Sequence, residues 1–229
     1  MAAAADEVEQ PDSGPRMSGT ERLTAFSDGV FAIVITLLVL ELRVPEYHEG
    51  GLLAALRGEN ASYLAFVVSF TYVGVIWLNH HALVRLVRAT TLALSWINLA
   101  ILFGAVIIPF PTAVLASALT HGDTDDRRTA VALYALSAAL MSAPWLLFFA
   151  YLHRHPALLK PEVSREHVRA QRLRPLTGLV LYGLSGLLGW FVDPILGLVG
   201  IIVMIVYHAV TSEGLRGGWP RRRPAGHGR

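Results

Sequence analysis

"FSDGVFAIVITLLVLEL", residues 26–42, has the composition of a membrane helix but carries Asp28 near its start and Glu41 near its end. Only 12 residues lie between the two acids. That is about 18 Å of helix at about 1.5 Å per residue, against a hydrocarbon core about 30 Å thick. A lone Asp at mid-membrane costs about 2.5–3.5 kcal/mol. A helix built from this stretch must therefore keep Asp28 at the interface or give it polar partners.

The rest of the 229-residue chain has the same character: 54% of residues are hydrophobic and 16% charged, where a soluble domain carries about 25% charge. The charges are bunched. Runs free of Asp, Glu, Lys and Arg separate Glu59 from Arg85, Arg88 from Asp123, Arg128 from Arg154, Arg174 from Asp193 and Asp193 from Glu213. Each can hold an apolar helix of about 20 residues. With the opening helix they predict an all-α membrane protein of six spans, near 19–43, 60–82, 91–108, 129–152, 175–191 and 195–211. Pro45 is expected to stop the first and "PFP" at 109–111 the third. Pro144 is expected to kink the fourth, and "VDP" at 192–194 to turn the last two into a hairpin.

This divides the chain into a tail at 1–18, a six-helix unit at 19–212 and a basic tail at 213–229. The acidic "MAAAADEVEQPDSGPR" lacks the basic and apolar regions of a signal peptide. Counting basic residues loop by loop puts 15 of the 19 on the side of both termini, which predicts that both face the cytoplasm. "RRR" at 221–223 is expected to meet anionic lipid heads rather than nucleic acid. An excess of arginine over lysine hints at a bacterial source, hence a bacterial cell membrane.

No cysteine is present, which excludes disulfides and thiolate chemistry. There is no Walker loop, no Gly-x-Ser-x-Gly and no His-Glu-x-x-His. The expectation is a non-enzyme without cofactor or resident metal. "TYVGV" at 71–75 only superficially matches a potassium-filter string, because it lies inside an uninterrupted helix.

The first helix carries two features. At about 100° per residue, Leu37, Leu40, Thr36, Gly29, Phe26 and Arg22 all fall within roughly 60° of Ile33 and form one stripe. Ser27 and Asp28 lie about 120° and 140° from Ile33 on the same measure. The acid and the stripe therefore need separate explanations. For the acid, "WLNHH" at 77–81 and "SWINL" at 95–99 bring polar residues to the same depth. A cluster of Ser27, Asp28, His80 or His81, and Asn98 is expected to join the first three helices. It reads either as interhelical glue or as a proton relay. Adjacent His80 and His81 splay by about 100°, so only one can serve it. The stripe reads either as packing or as the wall of a pore.

Arg22-x-x-x-Phe26-Ser27-Asp28 followed by "GVFAIVITLLVLEL" resembles the signature of the lysosomal potassium channel family, transmembrane protein 175, and in particular its prokaryotic branch with one six-helix repeat per subunit. "WLNHH" at 77–81, "NL" at 98–99 and "PFPT" at 109–112 support the likeness. The resemblance implies a homotetramer around a central pore lined by the first helix. It implies potassium-selective or potassium-preferring leak conduction without a TVGYG-type filter. It makes Ile33 the first constriction, with Leu37 and Leu40 one and two turns further on and Thr36 beside them. It gives Arg22, Ser27, Asp28 and a second-helix histidine the task of holding helices together. Four apolar side chains around an axis form a constriction of the kind that gates by dewetting. The rival is a proton-coupled transporter or proton channel using Asp28 and a histidine.

Overall fold

The computed structural model of the protein describes residues 19–211; both tails, with Arg16 and the basic residues from Arg216 onward, lie outside them. The described secondary structure is helical apart from one antiparallel bridge, Val87 to Leu159. The helices are α1 (Gly19–Leu37), α2 (Leu52–Gly58), α3 (Asn60–Val84), α4 (Leu92–Ile107), α5 (Pro109–His121), α6 (Thr124–Arg154), α7 (Arg165–Gln171), α8 (Leu173–Phe191) and α9 (Pro194–Val210). Four stretches are long and apolar enough to cross a membrane: Gly19–Glu41, Asn60–Val84, Leu92–His121 and Thr124–Arg154. The protein is thus an all-helical, multi-pass membrane protein.

Three boundaries differ from the sequence reading, each for a local reason. The first span ends sooner, because α1 tightens at Leu38–Glu41 into a 3-10 turn and leaves it extended at Leu42, ahead of Pro45. "PFP" does not end the third span. Pro109 occupies the first position of α5, where a missing N–H costs no hydrogen bond. Ile108 N–H bonds back to Ala105 O, and Thr112 N–H to Ile108 O. The break is therefore a joint, and apolar helix continues to His121. The fourth span begins five residues before its expected start at 129, on a capping box. Asp123 accepts from Asp125 N and Asp126 N, each at 2.9 Å, and Asp126 accepts from Asp123 N at 3.3 Å. Caps of this type contribute about 1 kcal/mol. Asp123→Ala is expected to lower the melting temperature modestly and raise amide exchange in the first turn of α6 alone, read by hydrogen–deuterium exchange.

Pro144 lies inside α6. The α8–α9 hairpin turns on Asp193, whose carboxylate accepts from Ile195 N at 2.8 Å and Leu196 N at 3.2 Å, with Pro194 opening the helix. The two helices meet so closely that a Cβ on Gly197 would lie 2.6 Å from Gly189 Cα. Small residues at such crossings let backbones pack without a side chain between them.

The buried face of α1 is Ser27, Phe31, Val34 and Leu38, a spacing of four, three and four that keeps one side of a helix turned inward. Phe31, Val34 and Leu38 join Tyr72, Val73 and Ile76 of α3 in the main core. A second core gathers Leu83, Val87, Leu94, Phe148, Leu152 and Leu159 at one end of the molecule. There the loops 85–91 and 155–163 are tied by Arg88 N–H to Leu158 O at 2.9 Å and Lys160 N–H to Leu86 O at 3.0 Å. The start of α1 reaches the same end through Thr20 and Thr90, whose hydroxyls lie 3.4 Å apart. The basic loops and the beginning of α1 thus share one end of the bundle.

Candidate functional site on the first helix

α1 presents two unlike sides. Val34 is fully buried, whereas Ile33 beside it is 59% exposed and Leu40 is 69% exposed. Leu37, Thr36 and Phe26 are exposed as well. The stripe of Ile33, Thr36, Leu37 and Leu40 is therefore left uncovered by the other described residues, and it alternates with the buried residues turn by turn. Thr36 donates its hydroxyl hydrogen to Ile33 O at 2.8 Å. Its hydroxyl hydrogen is thereby committed to the backbone of its own helix, on the exposed side. Glu41 closes the 3-10 turn and is half-buried.

Behind the stripe, Ser27, Asn98 and His80 form one buried line between α1, α4 and α3. Ser27 Oγ donates to Leu23 O at 2.8 Å. With its hydrogen committed, Ser27 can only accept from Asn98 Nδ2, at 3.1 Å. Asn98 then turns Oδ1 to His80 Nε2 at 2.7 Å, and the acceptor there requires that Nε2 carry the donated hydrogen. His80 Nδ1 is left without a partner. The imidazole lies between Phe31, 5.3 Å away by ring centroid, and Trp145, edge-on at 6.4 Å.

The other residues of the expected cluster stand outside this line. Asp28 is half-buried and accepts from Trp77 Nε1 at 2.9 Å. The reason is angular. Ser27 and Asp28 are about 100° apart on the helix, so when Ser27 faces the core its neighbour falls at the edge of the uncovered side. An indole N–H reaching across from α3 satisfies the carboxylate there. His81 pairs with Arg85 at 3.0 Å on the outer side of α3; of the two histidines His80 is the one turned inward. Arg22 and Phe26 are exposed, on the same side as Ile33.

A second polar knot escaped the sequence reading. Thr112 Oγ1 lies 2.7 Å from Ser69 Oγ, which is 2.9 Å from Tyr134 Oη, all buried. It joins α3, α5 and α6. Each member is a single hydroxyl in an apolar run, and only the joint at Pro109, which carries Thr112 onward as helix, brings them together.

An all-helical protein with several apolar helices long enough to cross a membrane, and a first helix with an uncovered apolar stripe backed by a buried Ser–Asn–His line, belongs to the class of multi-pass helical membrane proteins. Residues 22–109 match the family model described as endosomal/lysosomal potassium channel TMEM175. A potassium channel from Streptomyces collinus is 39% identical over 172 residues, 74% of this chain and 82% of that protein. The crystal structure of a lysosomal potassium-selective channel TMEM175 homolog from Chamaesiphon minutus superposes with a TM-score of 0.75 at 34% identity, covering 85% of this chain and 98% of that one. The human endosomal/lysosomal proton channel TMEM175 is 32% identical over 200 residues, 80% of this chain but 39% of that protein. The chain belongs to the TMEM175 family.

Proposed function

We propose that this chain is one subunit of a homotetrameric potassium channel whose pore is walled by α1. The observation that carries the reading is the uncovered stripe of Ile33, Thr36, Leu37 and Leu40, opposite a fully committed buried face. One helix cannot enclose a pore, and four copies turned to a common axis would bring the four stripes together. The relatives from Streptomyces and Chamaesiphon, named or described as potassium channels, support the choice of ion. A cation squeezed past apolar rings sheds part of its water, which costs potassium less than sodium. The four long apolar helices, with α8 and α9 as a shorter pair of about 28 and 26 Å, make six spans. The shared end of the basic loops and the start of α1 is assigned to the cytoplasm of a bacterial cell on the positive-inside argument.

Proton permeation is the second reading, favoured by the human relative's being a proton channel. In this chain Asp28 is held by Trp77 and His80 by Asn98, so the two groups of the imagined relay have separate partners. Reconstitution under opposed potassium and pH gradients decides between them. The expected current reverses near the potassium equilibrium potential. A reversal that follows the pH gradient alone would overturn the potassium reading in favour of protons.

A further inference from the structure

The two cores of the bundle meet at Trp145, which packs against both. Beside it lies a partly open cavity of about 90 Å³ between α3, α6, α8 and α9. Tyr72, Trp145, Phe149 and Tyr182 supply aromatic walls, with the Tyr72 and Tyr182 ring centroids 5.8 Å apart. Asn79, Gln171 and Arg174 are among its polar residues, and they gather at one end. Asn79 follows Tyr72 in α3, and Arg174 precedes Tyr182 in α8, by about 10–12 Å along each helix. The basic loops follow α3 and precede α8. The cavity therefore runs from a polar mouth beside those loops to a deep end marked by two phenol rings.

Trp145 ties this space to the first helix. Its ring stands edge-on to His80 at 6.4 Å between centroids, and His80 reaches Ser27 of α1 through Asn98. Trp145 also follows Pro144 inside α6. A proline has no N–H to offer the carbonyl four residues earlier, here that of Leu140, so the helix lacks one hydrogen bond in the turn that carries the cavity wall. Helices bend at such places at less cost than elsewhere. A molecule lodged against Trp145 thus presses on a turn that yields, and on a ring in contact with the line behind the stripe.

We propose that this cavity is a control site for a small uncharged amphiphile, a single aromatic ring with a short polar arm, whose binding reaches α1 through Trp145 and His80. Size, lining and access define the class. An apolar cavity of about 150 Å³ holds a benzene. A space of about 90 Å³ that is open at one end takes a ring whose arm projects through the mouth. Aromatic walls receive a ring in the edge-to-face and offset contacts that such pairs prefer. The polar mouth suits the arm, whatever bonds its side chains make among themselves. The arm is uncharged because a space enclosed by membrane helices is entered through the bilayer, where a bare charge is costly. The site is independent of which ion the pore passes, and its control role rests on the reading of α1 as a pore wall.

The test uses the full chain in lipid nanodiscs, titrated with 4-bromobenzyl alcohol, whose bromine quenches tryptophan emission on contact. Wild type is expected to show a saturable component with half-saturation at about 1 mM or below, within reach of a ligand of so few atoms. It rises above the linear quenching caused by probe dissolved in the bilayer. Ala82→Leu extends a side chain into the cavity from a half-buried position. It is expected to abolish the saturable component while leaving the probe-free melting temperature equal or higher. Trp145→Phe keeps an aromatic wall but removes the reporting indole, and is expected to lose the same component. Should Ala82→Leu fail to fold, Trp145→Phe stands alone as the test of the site. In vesicles under a potassium gradient, a saturating level of benzyl alcohol is expected to change wild-type potassium flux about twofold or more and to leave that of Ala82→Leu unaffected. Purely linear quenching in wild type, or a saturable component that survives in either variant, overturns the site. Saturable binding with unchanged flux overturns the control role. Absence of flux in wild type without probe is a failure of the pore reading, and the quenching titration, which needs no ion gradient, still decides the site.

Discussion

Ile33→Asn and Val34→Asn, adjacent substitutions of similar chemistry, are expected to have opposite consequences. Ile33 stands on the uncovered side of α1. An amide there loses little packing within its own subunit, and substitutions at such positions usually change stability by about 0.5 kcal/mol or less. In the proposed tetramer, with α1 lining the pore, it would replace an apolar ring by a wettable one. If the dewetting barrier falls by about 1.4 kcal/mol, conductance rises about tenfold, and selectivity for potassium over sodium relaxes. Val34 is buried against the α3 core. An amide there has no hydrogen-bond partner and displaces close-packed side chains, at a cost of about 3 kcal/mol. That is a large share of a typical stability of about 5–15 kcal/mol. Val34→Asn is therefore expected to give little folded protein, while Ile33→Asn gives normal yield and enlarged current. Size-exclusion profiles and single-channel recording check both. Unchanged conductance in a well-folded Ile33→Asn protein would return the stripe to ordinary packing or lipid contact.

The stripe was legible because helical periodicity is a local property: residues three and four apart share a side whatever surrounds them. The same rule placed Ser27 away from Ile33, and Ser27 is fully buried. It misled for Asp28 because an unsigned angle hides which flank a residue takes. Ser27 and Asp28 are both far from Ile33, but on opposite sides of the point diametrically across from it. The packing of Phe31 and Val34 decides which flank turns inward, and Trp77, on another helix, decides what the outer one binds. The proline at 109 was ambiguous for a related reason. A proline that follows a helix and a proline that opens the next one look alike until the backbone after Ile108 is seen to continue as α5. The α6 boundary was readable in principle, since Asp123 and Asp126 have capping-box spacing; the apolar pattern, which starts later, drew attention past it.

The cavity between α3, α6, α8 and α9 was not legible at all. Tyr72, Trp145, Arg174 and His208 come from four helices, and nothing along the chain announces that they share a wall. The Ser27–Asn98–His80 line is intermediate. Its residue types and depth were apparent from the sequence, but the choice of His80 over His81 depended on how α3 is rotated, which its nearly uniform apolar composition does not disclose. The rotation follows instead from Tyr72, Val73 and Ile76, which pack inward and carry His80 with them.

Asn98 is the position in that line where substitution tells most, because it is both donor and acceptor. Asn98→Leu removes both bonds in a site of zero exposure. His80 Nε2–H is then stranded, while Ser27 keeps its bond to Leu23 O. One stranded buried donor costs about 1–3 kcal/mol, near the upper end of what interhelical hydrogen bonds contribute inside membranes, about 0.6 on average and up to about 1.7 kcal/mol. Asn98→Asp is nearly isosteric and keeps the acceptor for His80, but a carboxylate has no hydrogen for Ser27 Oγ, whose own hydrogen is committed. Two oxygen acceptors then face each other, and a carboxylate is buried with only a neutral imidazole beside it. Asn98→Asp is therefore expected to be the worse of the two, with Asn98→Leu intermediate and wild type the most stable. Melting in detergent, followed by tryptophan fluorescence and by survival of the oligomer, gives the order directly. If Asn98→Asp matches wild type, the hydrogen-bond directions assigned here are reversed, and Ser27 donates to residue 98 rather than to Leu23 O. That outcome would also free His80 to hand its proton elsewhere, the one arrangement of these residues in which a relay through the first three helices becomes physically reasonable.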